Sequence, residues 1–123
     1  MKAFTSLEQS RKLAEILPPE SADMCYRPYR EEGGILDYGV TLCQYQFASW
    51  IGVPCWSLAA LLDVLPHRID DRYALVSGKL SANEGWYVCY DDDNGDIDYY
   101  VHNSNLIDAC YEMIMKLHEQ KLL

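Results

Sequence analysis

The stretch "GWYVCYDDDNGDIDYYVHN", residues 85–103, constrains the fold more than any other part of the chain. Asn-Gly accepts the two positive φ angles of a type I′ turn, whose twist suits a two-residue hairpin loop. With Asn94-Gly95 as that loop, Asp93 faces Asp96, Asp92 pairs with Ile97, Tyr90 with Tyr99 and Val88 with Val101. Val88, Tyr90, Tyr99 and Val101 then share one face, so turn chemistry and apolar alternation yield the same register. The opposite face carries Tyr87, Tyr100 and His102 and sets Asp91 across from Asp98. Opposed like charges cost roughly several tenths of a kcal/mol.

Three helices flank this hairpin in the sequence. Thr5 and Glu8 have capping-box spacing, and Leu7, Leu13, Ala14 and Leu17 form one stripe, which predicts a helix over 6–17 ended by Pro18-Pro19. "CWSLAALLDVL", 55–65, predicts a second, apolar nearly all round and central to the core. Leu106, Cys110, Met113, Ile114 and Leu117 recur at three and four residues, with Asp108, Glu112, Lys116 and Glu119 facing away, which predicts the third. "MCYRPY", 24–29, reads as an edge strand because Pro28 cannot donate to a ladder. After "EEGG", the alternation of Val40 and Leu42 with Thr41, Cys43 and Tyr45 predicts its hairpin partner, and "YALVSGKL", 73–80, a further strand. That order implies an α+β fold: a small antiparallel sheet of about four to five strands packed with three helices, in one domain over 1–123.

Composition narrows the function. With 19 acidic against 10 basic residues the net charge is −9, which disfavours direct nucleic-acid binding and suits a basic protein partner. The run "PCWSLAALLDVLP" falls short of the ~20 apolar residues that span a bilayer. "MKAFTSLEQSRKLAEIL" lacks the apolar core and cleavage site of a secretory signal, so a cytoplasmic protein is expected. Cys25, Cys43, Cys55, Cys89 and Cys110 form an odd set with no Cys-x-x-Cys pair, which reads as free thiols packed as small hydrophobes.

Catalytic chemistry has one candidate pair. Cys55 at the start of the second helix, with His102 on a later strand, resembles a papain-like arrangement, and a helix N-terminus lowers a thiol pKa. Against a small cysteine hydrolase stand Pro54, Trp56 and the apolar helix that follows, which favour a buried structural cysteine. His67 and His118 lie at no metal-pair spacing, and Glu31-Glu32 and Asp70-Asp71 lack an apolar setting that would split their pKa values. A non-enzymatic reading is therefore favoured, with a small cysteine hydrolase of Cys55 and His102 as the alternative, and no cofactor is implied.

Two readings compete for the acidic turn. Aligned as a calcium loop, Tyr90 and Val101 fall where the first and last ligands belong, which leaves a weaker cation site of Asp91, Asp93, Asp96 and Asp98 as the metal alternative. The favoured reading is an interaction surface formed by Tyr87, Asp91, Asp98, Tyr100 and His102. An acidic mimic of DNA is one version of it.

"PCWSLAALLDVLP", "NGDIDYY" and "LIDACYEMIMKLHE", in this order, resemble a group of small uncharacterised proteins of gut-bacterial chromosomes, often within prophages or other mobile elements. The resemblance implies a cytoplasmic accessory protein with no assigned activity, cofactor or catalytic residue. A non-enzymatic, protein-binding role in such a setting is the expectation.

Overall fold

The computed structural model describes residues 2–30, 36–41, 52–81 and 83–123, the side chains of 28–30 and 36–41 excepted. Among these residues the fold is α+β, with three α-helices and two antiparallel sheets. Helix α1 is Leu7–Ala14, α2 Leu58–Val64 and α3 Leu106–Glu119. The strands are β1 (Met24–Arg30), β2 (Leu36–Thr41), β3 (Val53–Cys55), β4 (Arg68–Ile69), β5 (Tyr73–Ser81), β6 (Gly85–Asp91) and β7 (Ile97–Asn103). They are ordered β2-β1-β3 and β4-β5-β6-β7. The expected single sheet of four to five strands is thus two sheets. The chain forms two compact units, Ala3–Ala60 and Met1–Lys2 with Leu61–Leu123; their boundary falls inside α2, where no linker composition marks it.

In the unit Ala3–Ala60, α1 begins one residue later than the sequence suggests. Ser6 is the N-cap: its hydroxyl accepts from the Gln9 N–H at 3.1 Å, and the Gln9 side-chain Oε1 accepts from the Ser6 N–H at 3.0 Å. Thr5 is unavailable as a cap because its hydroxyl is fully buried against β3. It accepts from the Trp56 N–H at 3.1 Å and lies 2.7 Å from the Ser10 hydroxyl. The Thr5 N–H in turn donates to the Trp56 carbonyl at 3.0 Å, and the Tyr26 hydroxyl to the Thr5 carbonyl at 2.7 Å. Burial in an apolar core obliges these polar groups to pair with one another.

Strand β1 is central rather than an edge, which corrects that expectation. Its pairing with β3 runs only from Met24 to Tyr26, so Pro28 lies past the end of β3, where a missing donor costs that ladder nothing. β1 pairs antiparallel with β2 from Cys25↔Thr41 to Arg30↔Leu36, so the partner strand includes Val40 and Thr41 of the expected alternation but starts earlier, at Leu36. The "EEGG" turn and Leu42, Cys43 and Tyr45 lie outside the described residues. Cys25 is disulfide-bonded, which corrects its reading as a free thiol: a bridge without a motif leaves no mark on an odd cysteine count. Cys55, Cys89 and Cys110 are free and buried, as expected.

Residues 53–57 are extended where a helix start was expected. Pro54 sits in β3, and α2 begins at Leu58 behind Ser57, whose hydroxyl accepts from the Ala60 N–H at 3.3 Å. The Asp23 carboxylate fixes this cap by accepting the Ser57 N–H at 2.9 Å and its hydroxyl.

In the unit Leu61–Leu123, α3 packs on β6 and β7. Leu106, Cys110, Met113, Ile114 and Leu117, the predicted stripe, are all buried, with Val88, Tyr90 and Val101 of the sheet. Asn105 caps the helix, its side-chain oxygen accepting from the Ile107 and Asp108 N–H groups at 2.8 and 3.3 Å. The helix ends in a Schellman motif, Leu122 N–H to the Leu117 carbonyl and Lys121 N–H to that of His118, with Lys121 at φ 60°. No helix among the described residues is long and apolar enough to cross a membrane.

Candidate functional site

The acidic hairpin differs from the predicted one in its loop and in one residue of β7. Val88↔Val101 holds, but the loop is the three residues Asp93, Asn94 and Gly95. The Gly95 N–H donates to the Asp92 carbonyl at 3.1 Å, and Gly95 alone has positive φ, 83°. This is the other common solution for a hairpin, a turn followed by a left-handed glycine. Asp91 then pairs with Ile97 and Tyr90 with Asp98, and Tyr99, at φ 51°, is the extra residue of a bulge.

The bulge removes the predicted clash of carboxylates. Asp91 and Asp98 no longer face each other: Asp98 lies opposite Tyr90, on the α3 side of the sheet, where its carboxylate accepts from the Tyr99 N–H at 3.1 Å. Of the residues expected to form one surface, Tyr87, Asp91, Tyr100 and His102 share a face by register and Asp98 does not.

Part of the remaining acidity, at Asp92 and Asp96, is met from within the chain. Asp92, with a side chain 4% exposed, is the centre of the turn. One carboxylate oxygen accepts from the Asn94 and Asp96 N–H groups, each at 2.9 Å; the other takes the Arg72 guanidinium at 3.0 Å. Arg72 also lies 3.7 Å from Asp96 and 5.0 Å above the Tyr73 ring. Burial alone would raise the Asp92 pKa, but the Asp96 N–H, Arg72 and the Asn94 N–H together hold it below the ordinary carboxylate value. Arg72 is presented by the β4–β5 turn, where Asp70 and Asp71 both take φ 55° and the Arg72 N–H closes on the Ile69 carbonyl at 3.1 Å. The guanidinium stands where a bound cation would be needed. Asp91, Asp93, Asp96 and Asp98 do not converge, and among the described residues no group of three or more His, Cys, Asp or Glu side chains is arranged to hold a metal.

The face of the second sheet turned away from α3 is the most open aromatic surface described. Tyr87 and Tyr100 stack in an offset pair, centroids 6.1 Å apart and planes 13° apart. Tyr100 is 45% exposed and Ile97, two strand positions away across the bulge, 59%. Gly78 makes the arrangement possible: it pairs with Tyr87, and a Cβ there would come within 2.7 Å of the Tyr87 ring. His102 is turned aside, its Nε2 against the Glu84 carbonyl. Ile97 and Arg72 were not singled out in the sequence. Ile97 enters the sequence reading only as the partner of Asp92, and nothing local links Arg72 to an aspartate twenty positions on.

Cys55 is placed unfavourably for the alternative chemistry. It ends β3 rather than opening a helix, is fully buried, and its thiol donates to the Thr5 carbonyl at 3.5 Å. Burial pushes its pKa up, the reverse of what a nucleophile requires. His102 belongs to the other unit. Comparison with protein-family models, with curated proteins and with solved structures finds no match for this chain.

Proposed function

We propose that this chain is a non-enzymatic accessory protein that binds another protein through the sheet face bearing Tyr87, Asp91, Ile97 and Tyr100, in a bacterium carrying a phage or mobile element. The observation that supports it is the stacked Tyr87–Tyr100 pair beside Ile97, apolar area left open to solvent on a rigid sheet. Aromatic anchors within a polar rim are the usual energetic centre of an interface, because they bury much area at little cost in side-chain entropy. The resemblance to mobile-element proteins and the net charge of −9 support the setting and a partner of opposite charge. Binding rather than catalysis is further supported by the buried, raised-pKa Cys55.

The test is capture of the partner from host lysate by the wild type and by Ile97→Ala/Tyr100→Ala, with Leu80→Ala, another exposed apolar residue of the sheet, as control. Loss of the captured protein in the double variant alone, at unchanged melting temperature, is expected. Equal capture by all three would overturn the reading.

A further inference from the structure

Resting on that reading, we infer that the face recognises an arginine of its partner, stacked on Tyr100 and held by the Asp91 carboxylate. By register Asp91 pairs with Ile97 and Cys89 with Tyr100, so Asp91 and Tyr100 are diagonal neighbours on one face. Such neighbours stand roughly 7–8 Å apart, a gap that one guanidinium bridges with its plane on the ring and its edge on the carboxylate. Among the described residues Asp91 makes no ion pair, whereas Asp92 and Asp96 are already engaged by Arg72. Tyr87 backs Tyr100 on its other flank and fixes the ring's plane.

The same sheet contains a filled version of this arrangement. Arg72 lies 5.0 Å over the Tyr73 ring and 3.0 Å from Asp92, an arginine held between an aromatic face and a carboxylate. Lys79 over Trp86, at 5.7 Å, is a second cation on an aromatic ring. Among the described residues, no side-chain cation joins the Tyr100 ring and the Asp91 carboxylate. Charge complementarity selects the occupant, since a chain of net charge −9 attracts a basic segment. Flat stacking with forked hydrogen bonding selects arginine over lysine, whose ammonium is a compact, strongly hydrated point charge.

The test titrates three capped pentapeptides, TVRVT, TVKVT and the citrulline analogue of the first, into the full-length 15N-labelled chain at millimolar concentrations. Saturable shifts at Tyr87, Asp91, Ile97 and Tyr100 are expected with TVRVT, about tenfold weaker with TVKVT and absent with the citrulline peptide. Asp91→Asn is expected to weaken TVRVT binding about tenfold and Tyr100→Ala to abolish it. Equal binding of TVRVT and TVKVT, no saturable binding, or an unchanged affinity in Asp91→Asn would overturn the inference. If partner capture still depends on Tyr100 in that case, the binding reading stands without the arginine. If capture is also indifferent to Tyr100, both fail.

Discussion

The Arg72 guanidinium lies 3.0 Å from the Asp92 carboxylate, joining the β4–β5 turn to the β6–β7 turn and supplying from within the chain the positive charge that an acidic hairpin tip lacks. Asp92 also accepts two backbone N–H groups, whereas Arg72 is 59% exposed and gives mainly charge. Asp92→Ala is therefore expected to lower the melting temperature clearly more than Arg72→Ala. The Asp92 pKa is depressed on folding, so its stabilisation is present above the unfolded carboxylate value of about 3.9 and is lost as pH falls through the lower folded value. Thermal melts between neutral pH and pH 2 are expected to show a shallower acid limb in Asp92→Asn than in the wild type.

Gly78 leaves room for the Tyr87 ring and so controls the stacked pair at a distance from either exposed anchor. Gly78→Ala is expected to swing the ring away from Tyr100 at a stability change below about 1 kcal/mol, because the atoms it meets are the free end of a side chain. Ring-proton shifts of Tyr87 and Tyr100 check the displacement, and loss of partner binding without unfolding is expected with it.

Thr5→Val leaves the buried Trp56 N–H without its acceptor at nearly constant volume. A loss of about 1–3 kcal/mol is expected, measured by urea unfolding. Ser10→Ala, which removes a partner of the Thr5 hydroxyl but strands no backbone group, is expected to cost less.

Lys121 occupies the left-handed position that ends α3, at φ 60°, where glycine has no Cβ penalty. Lys121→Gly is expected to raise stability by about 1 kcal/mol, measured the same way, because it relieves strain at an exposed residue.

What the sequence disclosed follows from the range of the forces involved. The stripe of α3 and the pairing of Val88 with Val101 were legible because each is set by local periodicity. So was the placing of Tyr87, Tyr100 and His102 on one face, since the strand period survives the bulge on that side. The bulge itself was not legible: Asn94-Gly95 suits either a two-residue or a three-residue loop, and the choice moves Asp98 across the sheet. Strand β3 was hidden because Pro54 and Cys55 precede an apolar run that reads as helix, while the Thr5 and Met24–Tyr26 contacts that extend them come from distant residues. Arg72 was missed for the same reason.

The most direct measurement is photo-crosslinking with benzoylphenylalanine introduced in place of Tyr100 on the open face and, separately, in place of Glu112 on the exposed side of α3. Binding through the second sheet predicts a partner adduct from position 100 and none from position 112. An adduct from position 112 with none from position 100 would contradict it.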